Sequence, residues 1–130
     1  MSGRFISLDM DETLLCSLPK KYCLNGLRCP DGEIPYFKNG EFEPSFVFRR
    51  PGIEDLLEKL ATIGTLNVFT CGMRDYAHQA LTVTGLIRRF DRIFTREDCI
   101  YNARRLSDSE LAYWKCSRDQ AGMRKDLRLV

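Results

Sequence analysis

Histidine is nearly absent: His78 is the single one in 130 residues. Ser-His-Asp and Cys-His catalysis therefore lack support, because both need an imidazole beside the nucleophile. Cys-x-x-Cys pairs are missing too, so the usual zinc spacings do not occur. The cysteines at 16, 23, 29, 71, 99 and 116 lie in apolar or helical contexts without a secretory leader. They read as reduced thiols rather than three disulfides. No apolar run approaches a membrane span. A strand-like run begins by Phe5, which leaves no room for a signal or transit segment and implies a nuclear or cytoplasmic location. Excess charge of one sign is also lacking. A net charge of +2 does not resemble the basic stripe of a direct nucleic-acid binder. Internal repeats and low-complexity segments are absent.

What remains is ordinary globular material, 44% apolar and 29% charged, of a length that supports one domain over 1–130. Its most informative stretch is Phe5-Ile6-Ser7-Leu8-Asp9-Met10-Asp11-Glu12-Thr13-Leu14-Leu15. A short apolar strand ends in two carboxylates two residues apart. Ligands of parallel-sheet proteins sit beyond the carboxyl ends of the strands. Carboxylates that close repel unless a proton or cation intervenes. Mg²⁺ favours such oxygens and often bridges to phosphate. The stretch reads as a metal-assisted phosphate site at the lip of the first strand. The plainer alternative is an acidic, solvated helix start.

Residues 16–45 carry most of the turn signals, which argues against a long helix there. Asn39-Gly40 fits the tight turn of a hairpin over Tyr36–Phe42, and Phe46-Val47-Phe48 reads as a strand. Pro51-Gly52 then leads into a helix with Ile53, Leu56, Leu57, Leu60 and Ile63 on one face, and Gly64 suits its C′ position. Leu66-Asn67-Val68-Phe69 reads as a second parallel strand, delivering Thr70 to the rim that holds Asp9. A helix over 74–84 follows, with Tyr76, Ala77, Ala80 and Leu81 inward and Gly85 at its end. Arg92-Ile93-Phe94 reads as a third strand. Alternating strands and helices predict an α/β fold on a parallel sheet. Ser107-Asp108-Ser109-Glu110 looks like a helix start.

Leu8-Asp9-Met10-Asp11-Glu12-Thr13-Leu14 resembles the DxDxT signature of the haloacid dehalogenase-like superfamily. Its DxDET form is similar to the branch of aspartate-nucleophile phosphatases acting on the C-terminal domain of RNA polymerase II, also called NLI-interacting-factor-like. Val68-Phe69-Thr70-Cys71-Gly72-Met73-Arg74-Asp75-Tyr76-Ala77 resembles that branch's second motif. Val47-Phe48-Arg49-Arg50-Pro51-Gly52 resembles the run before its first long helix. Three blocks in order are far more specific than a lone DxD.

The resemblance implies a Rossmannoid fold with a small β insertion after the first strand, over 16–50, and a further insertion over 102–124, since the family's lysine motif usually comes sooner. It implies a Mg²⁺-dependent phosphoserine/phosphothreonine protein phosphatase whose partner is a phosphorylated peptide or protein, such as the polymerase tail. Asp9 would be the nucleophile and Asp11 the general acid and base, both holding the metal. Met10, Asp11, Thr70 and Cys71 would bind phosphate with Asp9. Lys125, in Arg124-Lys125-Asp126-Leu127, resembles the family's lysine motif, with Lys115 as competitor. Arg74 and Thr13 are candidates for substrate contact. In the family a further strand follows the lysine and ends in an acid that completes the metal shell. Nothing after Asp126 is acidic, so the resemblance implies a chain truncated before that strand, with Asp98 or Asp126 as substitutes that no pattern supports. A catalytically silent peptide-binding or import-related module is the alternative. A small-molecule phosphatase is disfavoured by the Arg50-Pro51-Gly52 and Gly72-x-Arg74 blocks.

Overall fold

The computed structural model describes residues 3–23, 28–35, 37–38, 40–105 and 107–113. Its centre is a parallel sheet of three strands, β1 (Phe5–Leu8), β7 (Thr65–Phe69) and β8 (Arg92–Phe94), in the order β1-β7-β8. Leu8 is in register with Val68, and Phe69 with Phe94. All three strands therefore end at one rim.

Between β1 and β7 the chain builds a second sheet from β2 (Leu15–Pro19), β3 (Gly32–Ile34) and β6 (Ser45–Arg49), antiparallel in the order β2-β6-β3. A hairpin of β4 (Phe37–Lys38) and β5 (Glu41–Phe42) completes the insertion. The expected hairpin is present, with Gly40 at a φ of 80° between the paired strands; Asn39 lies outside the described residues. β2 was hidden in sequence by the turn signals around it. Pro19 ends that strand at the position paired with Ser45.

Helix α1 (Ile53–Ala61) packs on β7. Ile53 and Leu57 are buried with Leu66 and Val68, because they recur at helical spacing on one face. The expected apolar face is narrower than its sequence suggests: Leu56 is 48% and Ile63 47% exposed. Ile63 falls past the helix end. Gly64 also departs from expectation, since Gly40, Gly52 and Gly85 are the described glycines with positive φ. Its value is space: a Cβ there would meet the Arg4 carbonyl oxygen at 2.7 Å.

Helix α2 (Arg74–Val83) buries Ala77, Ala80 and Leu81. It contacts β3 of the insertion, where a Cβ on Gly32 would lie 2.5 Å from that of Val83. That close approach docks the second sheet against α2. Helix α3 (Arg96–Arg105) follows β8, and α4 (Asp108–Tyr113) follows α3. The expected helix start at Ser107 is present as a reciprocal cap: Ser107 N–H donates to Glu110 and Glu110 N–H to Ser107 Oγ, both at 3.1 Å. Among the described residues no helix is long and apolar enough to cross a membrane. The described cysteines 16, 23, 29, 71 and 99 are free thiols.

Candidate active site

The rim of the parallel sheet collects the ends of β1, β7 and β8. Asp9 leaves β1 exposed, Met10 is fully buried, and Asp11 is half-buried. This alternation is what a strand's period of two produces as the chain leaves the sheet. Met10 anchors the loop twice over. Its side chain sits in the core, and its carbonyl accepts the N–H groups of Thr13, Leu14 and Leu15 at 3.2, 2.9 and 3.3 Å. Glu12 closes this turn by donating its N–H to the Leu15 carbonyl at 2.7 Å. It does so with a φ of 62°, the left-handed region that a glutamate enters only at a cost. Arg50 reaches back to the Thr13 carbonyl at 3.4 Å. Thr13 is thus tied into the loop through its main chain.

Asp11 is held by a side chain 65 residues away in sequence. The Tyr76 hydroxyl, on the first turns of α2, donates to Asp11 Oδ1 at 2.6 Å. Ser17 Oγ, on β2, lies 2.8 Å from the same tyrosine oxygen. Since the tyrosine proton is committed to the carboxylate, the serine is the donor of that second bond. The result is a chain Ser17–Tyr76–Asp11 running from the insertion through α2 to the acidic loop. Burial, reinforced by the Asp11 hydrogen bond, raises the Tyr76 pKa well above the usual phenol range. Cys16 lies close by, and burial, with the Glu12 and Asp11 carboxylates adding to it, pushes its thiol up. Sequence placed Tyr76 on the inner face but gave it no site role.

Thr70 is almost fully buried, with its N–H on the Phe94 carbonyl at 2.9 Å. Its hydroxyl accepts the Gly72 N–H at 3.0 Å. A hydroxyl used this way retains its proton for one further acceptor. Cys71 is exposed at the rim. The turn is braced from α3: Arg96 donates its main-chain N–H to the Gly72 carbonyl at 3.0 Å and its Nε–H to the Cys71 carbonyl at 2.8 Å. The Arg74 main-chain N–H donates to Glu97, and its guanidinium lies 4.0 Å from Asp98.

Asp98 is engaged as a helix cap. Its Oδ2 accepts the Thr95 N–H at 2.7 Å, so its carboxylate serves α3 rather than the acidic loop. His78 is exposed on α2. Lys125, Lys115 and Asp126 lie outside the described residues. A cleft of about 660 Å³ opens beside Tyr76, between the insertion and the β7–α2 turn, with Lys21, Tyr22, Met73 and Arg96 on its walls.

Among the described residues no three His, Cys, Asp or Glu side chains gather as a metal-binding group. Asp9, Asp11 and the adjoining main-chain carbonyls are nevertheless hard-oxygen donors. Mg²⁺ accepts one or two carboxylates, keeps several waters and completes its shell on phosphate. The donor chemistry suits that ion.

Comparison with known proteins agrees with this geometry. Residues 5–129 match the model of the NLI interacting factor-like phosphatase family. The chain is similar to a human phosphatase of the RNA polymerase II C-terminal domain, 35% identical over 101 residues. The match covers 73% of this chain and 10% of the relative's length. Its fold is similar to fission yeast RNA polymerase II CTD phosphatase Fcp1 bound to beryllium fluoride, with a TM-score of 0.53 and 20% identity over 73% of this chain and 30% of that one. A second structure, of Fcp1 described as an essential RNA polymerase II CTD phosphatase, gives a TM-score of 0.54 and 19% identity with the same coverage. The haloacid dehalogenase-like fold expected from sequence is therefore present.

Proposed function

The chain belongs to the NLI interacting factor-like phosphatase family, and from that premise we propose that it is a Mg²⁺-dependent protein phosphatase for phosphoserine and phosphothreonine. Asp9 attacks phosphorus and forms an aspartyl-phosphate. Its exposure at the end of β1 supports that role, because a nucleophile must meet an incoming ester. Asp11, protonated, gives its proton to the leaving seryl or threonyl oxygen. It then takes a proton from the water that clears the intermediate. The hydrogen bond from Tyr76 falls on Oδ1 of Asp11, so the transferable proton is assigned to Oδ2.

Thr70 donates its remaining hydroxyl proton to a phosphate oxygen, joined by main-chain N–H groups of Met10, Asp11 and Cys71. Lys125 offsets the remaining negative charge. Mg²⁺, held by Asp9 and Asp11, would supply the positive charge that lets a carboxylate approach a phosphate dianion. Thr13 and Arg74 stand beside the site as substrate contacts.

The relatives' names favour the polymerase tail or a similar phosphopeptide as substrate; of the two expected locations, nuclear and cytoplasmic, such a substrate would favour the nucleus. The observation that supports this reading is the Tyr76 hydrogen bond to Asp11 Oδ1, which leaves Oδ2 for proton transfer two residues along the chain from the exposed Asp9. The test is hydrolysis of p-nitrophenyl phosphate and of a phosphoserine peptide with Mg²⁺ by wild type and Asp9→Asn. Activity in the wild type alone is expected. Equal rates would remove Asp9 from the nucleophile role.

A further inference from the structure

The turn that leads from Thr70 into α2 has no cap of its own. Met73 occupies the N-cap position without a side-chain hydrogen bond, and a thioether is a weak acceptor. The cap comes from elsewhere. The Arg74 N–H points at both carboxylate oxygens of Glu97, at 3.0 and 2.8 Å. Glu97 lies 23 residues further on, in the first turn of α3. Its own helix start is pinned by the Asp98–Thr95 bond of 2.7 Å and by the Arg96 contacts to Cys71 and Gly72. A fixed helix start thus serves as the template for its neighbour. An anionic cap also complements the positive end of α2.

We propose that Glu97 is a positioning residue for the phosphatase site, which caps α2 from α3 and so sets the orientation in which Tyr76 meets Asp11. Tyr76 lies two residues beyond the capped N–H, in the first turn of α2. Any loosening of that turn is carried directly to its hydroxyl. A hydrogen bond of 2.6 Å tolerates little displacement, because the interaction weakens steeply with misalignment. The catalytic consequence rests on the phosphatase reading; the link from Glu97 to the Tyr76–Asp11 contact does not.

The test uses the whole chain with Glu97→Ala, Glu97→Gln and Tyr76→Phe, singly and combined. Glu97→Ala is expected to lower kcat about tenfold with KM within about twofold, since misplaced groups cost turnover more than binding. Glu97→Gln is expected to recover most of that loss, because its amide oxygen still accepts the Arg74 N–H. In the Tyr76→Phe background Glu97→Ala should add little, as residues acting through one contact are not additive. A second readout is independent of activity. The ¹³Cζ resonance of Tyr76, assigned with Tyr76→Phe, should move towards that of an exposed tyrosine in Glu97→Ala and stay in place in Glu97→Gln. An unmoved Tyr76 resonance in a folded Glu97→Ala protein would overturn the proposal, as would losses that simply add to those of Tyr76→Phe. Should Glu97→Ala not fold, Glu97→Asp withdraws the carboxylate by one methylene and the same readouts decide. A wild type without activity would sink the phosphatase reading and leave the resonance to judge Glu97.

Discussion

Tyr76 and Asp11, separated by 65 residues of sequence, are joined by a hydrogen bond of 2.6 Å. The tyrosine donates, and its ring is carried by a helix whose buried face of Ala77, Ala80 and Leu81 is locked into the core. The acidic loop is therefore aimed by the core packing of α2. Removing the hydroxyl should be felt mainly in turnover. Tyr76→Phe is expected to lower kcat roughly tenfold while leaving the fold intact, the scale of one lost charge-assisted hydrogen bond. Steady-state kinetics with a phosphopeptide, beside circular dichroism, checks this.

The same bond has an alkaline signature. The folded state raises the Tyr76 pKa above its unfolded value of 10.0. In that interval the folded protein holds a proton that the unfolded chain has lost. The contribution is fully present below the unfolded value and declines as pH rises towards the folded one. Urea melts from pH 8 upwards should show wild type losing stability beyond about pH 10, and Tyr76→Phe losing less.

The two faces of α1 give a test of packing. Leu57 is fully buried and Leu56 is 48% exposed. Leu57→Ala is expected to cost about 2–5 kcal/mol, and Leu56→Ala less than about 1 kcal/mol. Denaturant melts would separate them; equal losses would contradict the placement of the helix.

Backbone strain at Glu12 makes a further prediction. With φ at 62°, a β-branched residue there is expected to destabilise the chain by about 1–3 kcal/mol relative to glycine. Glu12→Val and Glu12→Gly, compared by thermal melting, read that difference directly.

Much of this architecture was legible because it rests on short-range rules. The strand before Asp9, the crossover that returns Thr70 to its rim and the Asn39-Gly40 hairpin each follow from local periodicity or turn chemistry. The α1 stripe was read too wide, since Leu56 and Ile63 are apolar yet sit where the sheet does not reach. Helix α3 was not foreseen: among its described residues Cys99 is the buried apolar one, set among many charged side chains. Its start, Thr95 followed three residues later by Asp98, was the available signal, a capping pair with Asp in place of the more usual Glu. The roles of Tyr76 and Glu97 were invisible for a different reason. Both act across elements, at distances of 65 and 23 residues, and a side chain's remote partner leaves no periodic trace. The spacing of Asp9 and Asp11 did announce itself, because two acids at a strand's end have few bland explanations.

The central claim is that Asp9 is the group that takes the phosphoryl. Beryllofluoride mimics a carboxylate-bound phosphoryl group, so crystals of this chain soaked with it and Mg²⁺ address the claim most directly. The account predicts a tetrahedral adduct on an oxygen of Asp9, with Asp11 still bonded to Tyr76. An adduct on Asp11, or none at this rim while the salt binds elsewhere, would contradict it.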